Sequence, residues 1–183
     1  MSPQTRLANL VRLILVELAL VMLVLSFVSP LQAKKAKKTS KPRFVYSGQV
    51  EKVTDGDTIT VLTTDYERIK VRFYGIDAPE KKQSYGPQST AALQKLLANQ
   101  TVTVEEMDTD RYSRIVGLVR VDKQLINLAM VAGGWAWVYP QYCQSAQVCE
   151  ALKEAESQAR LNSVGLWGEP DPIAPWLWRK SKR

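Results

Sequence analysis

Five side chains set the chemical possibilities of this chain: Asp57, Arg72, Asp77, Glu80 and Arg114, within fewer than sixty positions of one another, in a sequence without histidine. Asp57 closes the turn Asp55-Gly56-Asp57-Thr58, and Arg72 stands in the strand-like run Val71-Arg72-Phe73-Tyr74-Gly75-Ile76. Asp77 and Glu80 flank Ala78-Pro79, and Arg114 ends the segment Asp110-Arg111-Tyr112-Ser113-Arg114. With no imidazole, a Ser-His-Asp triad, a Cys-His pair and a histidine-ligated zinc are excluded. Carboxylates remain as bases or metal ligands, and guanidinium groups as electrophilic clamps. Carboxylate oxygens select a hard cation such as calcium or magnesium. An arginine fork matches the paired oxygens of a phosphate. The combination points to metal-assisted hydrolysis of a phosphodiester.

The elements that must hold these residues follow from periodicity and turn chemistry. Residues 44–54 alternate as a strand, Asp55-Gly56 is a hairpin turn, and residues 58–63 form a second strand. Residues 67–76 read as a third, with Ile69, Val71 and Phe73 on one face and Arg68, Lys70 and Arg72 on the other. Pro79 ends it and residues 81–84 are a loop. Gly86-Pro87 then starts a helix that carries Ala92, Leu93, Leu96 and Leu97 at helical spacing. Strands over 101–107 and 115–121 follow, joined by the polar segment 108–114. Helices over 125–132, stopped by Gly133-Gly134, and over 150–161 complete the pattern. This order predicts an α+β protein, a five-stranded OB-fold β-barrel with three helices, an architecture that often presents a face to oligonucleotides. The stretch 165–183, with three prolines and three tryptophans, reads as an irregular segment packed onto the domain.

A length of 183 residues leaves room for one core plus tails, and 45% hydrophobic with 23% charged residues excludes a disordered chain. Of the net charge of +7, residues 34–43 contribute six, residues 179–183 four and residues 1–33 one, so residues 44–178 carry −4. The basic ends either raise local concentration on a polyanion or are solvated flanks. Arg6 and Arg12 precede an apolar stretch, 13–28, interrupted by Glu17 and Ser26. Its core suits a signal-peptide h-region better than a membrane span. Cleavage near Ala33 and export, secreted or periplasmic, is the expectation. The lysines after Ala33 keep open a membrane anchor through residues 13–28. The chain thus divides into a targeting or anchor segment 1–33, a basic linker 34–43, a barrel domain 44–168 and a Pro/Trp-rich basic tail 169–183. In an exported chain the pair Cys143 and Cys149 suggests a disulfide closing a small loop, worth about 2 kcal/mol. Two free thiols are the alternative.

Several motifs, taken in order, resemble the staphylococcal nuclease (thermonuclease) family. They are Asp55-Gly56-Asp57-Thr58, the run from Arg72 to Glu80, Tyr85-Gly86-Pro87, the segment from Asp110 to Arg114, Ala159-Arg160 and Gly165-Leu166-Trp167. The similarity spans residues 44–167. It implies an OB barrel and an endonuclease of the thermonuclease type, acting on DNA and RNA, preferentially single-stranded, with little sequence preference and leaving 3′-phosphates. It also implies calcium (Ca2+) as cofactor, ligated by Asp57, Asp77 and the backbone carbonyl of Ala78. Arg72 and Arg114 would bind the scissile phosphate and Glu80 would be the general base. Tyr112 beside Arg114, and Tyr139 and Tyr142 after the second helix, could stack bases. Trp135 and Trp137 read as core, and Trp167, Trp176 and Trp178 as pins for the tail. No protein partner is implied, and a monomer is expected. Where many members of the family carry glycine this chain has Ser113, which is expected to shift that loop's backbone slightly. A nucleic-acid-binding module without catalysis and an envelope scaffold on a membrane anchor are the competing readings.

Overall fold

The computed structural model describes residues 44–182, so the targeting segment, the basic linker and Arg183 lie outside the described residues. Strands β1 (Val45–Asp55), β2 (Thr58–Thr63) and β3 (Arg68–Phe73) form an antiparallel meander. Strand β5 (Thr101–Thr109) pairs antiparallel with the first half of β1 and with β6 (Ile115–Val121). A parallel pairing of β3 with β6, Val71 opposite Ile115 and Arg72 opposite Val116, closes the ring. The result is the expected OB-like barrel, ordered β3-β2-β1-β5-β6. Register shifts at Val50/Lys52 and Val53/Asp55 bend β1 so that one strand serves two neighbours.

The alternation seen in the sequence is the barrel's inside and outside. Ile59, Val61, Val71, Phe73, Val102, Val104 and Val119 are buried, and Leu93, Ile126, Met130 and Leu152 close over them from the helices. Full burial of each such aliphatic or aromatic side chain is worth roughly 1.5–3 kcal/mol. The helices are α1 (Gly86–Leu97), α2 (Ile126–Ala132), α3 (Ala146–Leu161) and α4 (Pro175–Ser181). Helix α3 begins four residues before the expected start, and a disulfide between Cys143 and Cys149, Cα–Cα 5.6 Å, ties its first turns to the preceding chain. Buried Asn127 in α2 accepts from Val119 N–H and donates to the carbonyls of Tyr74 and Gly117, locking that helix to β6 and to the end of β3.

Two expectations need correction. There are four α-helices among the described residues rather than three, because the tail is not wholly irregular. Pro175 occupies the first turn of α4, where its fixed φ and missing N–H suit a helix start. Arg179 and Lys180 complement the helix dipole in its last turn. The other correction concerns the third strand, which stops at Phe73 and not at Ile76. Gly75 has φ +74, and an added Cβ there would meet Cys143 Sγ at 2.9 Å, so the turn requires glycine. It carries the chain off the barrel into β4 (Ile76–Asp77). Beyond β6, the short strand β7 (Gln124–Leu125) leads into α2, and β8 (Trp137–Val138) pairs with β4, Asp77 opposite Trp137.

The aromatic residues hold the tail as expected. Trp137 meets Trp167 edge-on at 4.3 Å and Trp176 at 5.8 Å, while Trp176 lies parallel to Tyr139 at 5.0 Å and 3°. Trp137, only half-buried, belongs to this outer stack, whereas Trp135, also half-buried, packs against the barrel core as expected and lies on Tyr85 at 5.9 Å.

Candidate active site

Two turns bring the acidic residues together. The β1–β2 turn presents Asp57, whose carbonyl accepts from Phe73 N–H at 2.8 Å and so is fixed to the end of β3. The Gly75 turn returns Asp77 to the same place, and the two carboxylates meet at Arg72. One guanidinium nitrogen of Arg72 is paired with Asp57 Oδ1, and the other donates to Asp77 Oδ1 at 2.6 Å. Asp57 Oδ1 also accepts from the Thr58 hydroxyl at 3.1 Å, and Asp57 Oδ2 accepts from Ala78 N–H at 2.6 Å. Both aspartates are at most 2% exposed. A buried carboxylate costs several kcal/mol unless paired and hydrogen-bonded, which is the condition met here. Ala78, expected to contribute its carbonyl, is thus tied to Asp57 through its amide.

Glu80 stands at the rim with its side chain 38% exposed. Its backbone N–H donates to Gln83 Oε1 at 3.2 Å, and Gln83 Nε2 donates to the Ile173 carbonyl at 2.6 Å. Buried Gln83 therefore clips the loop after Asp77 to the tail. The tail returns a second link: Arg179 of α4 donates to both Asp77 oxygens, at 2.8 and 3.2 Å, and to Glu80 Oε1 at 2.8 Å. Partial burial works against the Arg179 charge, but the bonds to Asp77 and Glu80 outweigh it and raise its pKa above the ordinary arginine value. Sequence reasoning missed both Gln83 and Arg179. The available signal was Pro175-Trp176 ahead of a basic last turn, in a tail whose tryptophans need a surface.

Arg114 is placed differently. The β3–β6 register puts it one residue before Ile115, the partner of Val71, so its backbone lies level with Lys70, two residues before Arg72 on β3. Its guanidinium is held by Asp110, at 2.7 Å from both Nε and NH2. Asp110 also accepts from the N–H groups of Tyr112 and Arg114. Burial opposes the Asp110 charge, yet the Arg114 amide and guanidinium and the Tyr112 amide hold its pKa below the usual value. Ser113 sits at φ 59, the left-handed region, so the loop keeps a glycine-like backbone despite the serine. Tyr112 is exposed, with the guanidinium carbons of Arg111 and Arg114 at 4.8 and 5.6 Å from its ring centre. Tyr142 is also exposed and packs on Tyr139 at 4.7 Å, at the end of the aromatic stack that holds α4. The structure therefore joins Asp57, Arg72 and Asp77 directly, brings Glu80 to Asp77 through Arg179, and holds Arg114, Tyr112 and Tyr142 on separate supports.

An OB-like barrel that gathers carboxylates and arginines in this way suits the hydrolysis of a phosphodiester. Residues 70–169 match the model of the family described as staphylococcal nuclease homologue. The chain belongs to that family. It is 43% identical over 136 residues to an uncharacterized endonuclease of Escherichia coli, an alignment covering 74% of this chain and 86% of the relative. It is 39% identical over 135 residues to an uncharacterized endonuclease of Haemophilus influenzae, covering 74% of each. With a micrococcal nuclease of Shigella flexneri it shares 36% identity over 147 residues, covering 75% of this chain and 83% of the relative.

Proposed function

We propose that this nuclease hydrolyses phosphodiester bonds of DNA and RNA with calcium, low sequence selectivity and a preference for single strands, leaving 3′-phosphates. The observation that carries the reading is the convergence of buried Asp57 and Asp77 on Arg72, with Glu80 at the open rim. The donors suit a hard divalent cation. They are carboxylate oxygens without a nitrogen or sulfur ligand, and two of them with the Ala78 carbonyl would hold calcium while water and substrate fill the other positions. Bound there, calcium supplies Lewis-acid polarisation of a phosphoryl oxygen.

The protein's own groups do the rest. Glu80 takes a proton from the attacking water. A bond forms between the water oxygen and phosphorus, the bond from phosphorus to the 5′ oxygen breaks, and that oxygen leaves as a hydroxyl once it takes up a proton. Arg72 and Arg114 stabilise the charge that grows on the phosphoryl oxygens. Tyr112 and Tyr142 offer exposed rings on which bases stack irrespective of sequence. The Cys143–Cys149 disulfide favours an oxidising compartment, which supports export after cleavage near Ala33. A monomer suffices, because every residue invoked comes from one chain.

A zymogram on denatured DNA tests the reading, with calcium and then with chelator, for the parent and for Glu80→Gln. The parent should clear the gel only with calcium. Glu80→Gln keeps the side chain's size but loses the proton acceptor, so its turnover should fall by roughly 10²–10⁴ while calcium-dependent binding of single-stranded DNA persists. Full parental activity in chelator would end the calcium reading. A variant that cuts like the parent would make Glu80 a turn residue. Binding without cutting by the parent itself would leave a nucleic-acid-binding module.

A further inference from the structure

Arg179 lies 102 residues beyond Asp77 and 99 beyond Glu80, yet its guanidinium bridges the two. It is delivered there by a built attachment. Trp176 stacks on Tyr139, Ala174 and Pro175 are buried, and Gln83 holds the Ile173 carbonyl. Among the described residues no other donor reaches Asp77 Oδ2 or Glu80 Oε1. These are oxygens that a metal ligand and a general base must have available.

Charge sharpens the point. Asp57, Asp77 and Glu80 face Arg72 and Arg179, three negative groups against two positive, so the corner keeps one negative charge. A divalent cation added with Arg179 in place would leave a positive excess, with a guanidinium and a metal on the same carboxylate. The same cation with Arg179 withdrawn brings the corner to neutrality. Asp77, fully buried, is short of counter-charge when it has only Arg72, which it shares with Asp57.

Resting on the calcium reading above, we propose that Arg179 is a further residue of the active site: an internal cation that holds Asp77 and Glu80 while the metal is absent and competes with calcium for Asp77. Because Glu80 shares the same guanidinium nitrogen as Asp77, withdrawal of Arg179 frees the metal ligand and the base together. Linkage makes the competition reciprocal. Calcium loosens Arg179 by the same factor by which Arg179 weakens calcium.

The test is calorimetric titration of calcium alone into the full chain, as parent, Arg179→Ala and Lys180→Ala. Arg179→Ala should bind calcium about 10-fold tighter, within the usual range for coupled sites. Lys180→Ala removes the same charge from the same helix away from the carboxylates, and should match the parent. Melting temperature gives the second arm: Arg179→Ala should melt below the parent in chelator and level with it in saturating calcium. Equal or weaker calcium binding by Arg179→Ala, or the same melting gap in both conditions, overturns the proposal. Should Arg179→Ala fail to fold, Arg179→Lys decides, since it keeps the charge and loses the fork. Tighter binding than the parent supports the competition, and equal or weaker binding rejects it. If the parent binds calcium and no variant binds tighter, only the competition fails. If neither parent nor variants bind calcium, the calcium reading fails and takes the competition with it.

Discussion

At the acidic corner, both oxygens of Asp57 and both of Asp77 accept bonds from other parts of the chain: β3, the segment after β4, and α4. At the arginine loop, the guanidinium of Arg114 is held by a carboxylate four residues away, beside an exposed tyrosine. The corner exists only once the barrel has closed and the tail has docked, because its partners are distant in sequence. The loop can form from its own residues. The difference teaches where rigidity has been placed. The groups that would hold a metal are buried and fixed, while Arg114, which would be the second phosphate clamp, is partly exposed and anchored by a bond it must yield or share to reach a substrate.

The largest contrast should come from deleting each arginine. Arg72→Ala leaves Asp57 buried without its cation, and breaking such a pair costs about 3–5 kcal/mol. Arg114→Ala removes a local, partly solvated pair and should cost under about 1 kcal/mol. Either loss should lower turnover on the order of 10²–10³, and lysine should restore neither, because it lacks the fork. Urea unfolding measures the stability difference, and single-turnover cleavage measures the catalytic loss. Equal destabilisation by the two alanine variants would break the distinction between a fixed corner and a self-contained loop.

The same contrast explains what could be read in the sequence. Strands β2 and β6 begin and end at the residues marked by alternation and by turn chemistry, because both signals are local. The end of β3 was obscured, since Tyr74-Gly75-Ile76 continues the apolar pattern while Gly75 turns the chain away. Asp57, Arg72, Asp77 and Glu80 were legible as residue types in motifs, and the barrel brings them together. Arg179 was not, because its partners lie about a hundred residues upstream and no local period reports such a contact. Pro170 and Pro172 argued correctly for irregular chain, but the conclusion was carried too far along the tail, past Pro175, where proline starts a helix.

A smaller effect should follow at Ser113. A non-glycine residue in the left-handed region costs roughly 1–2 kcal/mol. Ser113→Gly relieves that cost and gives part of it back through the greater freedom of glycine in the unfolded chain, so a net gain of about 0.5–1 kcal/mol is expected. For a domain of this size that is a rise in Tm of roughly 2–4 °C. The acidic corner, which shares no partner with Ser113, should bind calcium as before. A lowered Tm would mean that the serine side chain contributes more than its backbone strain costs. A change in calcium affinity would show that the loop and the corner are coupled after all.

The smallest effect is a pH dependence confined to the loop. Asp110 has a folded pKa below its ordinary 3.8, so the stabilisation it contributes is complete above that value and is lost as pH falls through the lower, folded value. Asp110→Asn removes the charge and most of this dependence. The parent should therefore be more stable than Asp110→Asn by under about 1 kcal/mol at neutral pH, with the gap unchanged down to about pH 4 and closing below it. Contributions from the rest of the chain are common to both proteins, so the difference isolates Asp110 as long as the two regions are independent. Paired urea titrations from pH 7 to about pH 2.5 supply the measurement. A gap that widens as the pH falls would reverse the sign expected of a lowered pKa. A gap that begins to close well above pH 4 would mean that Asp110 responds to charges elsewhere, and the arginine loop would then be part of the corner rather than a support of its own.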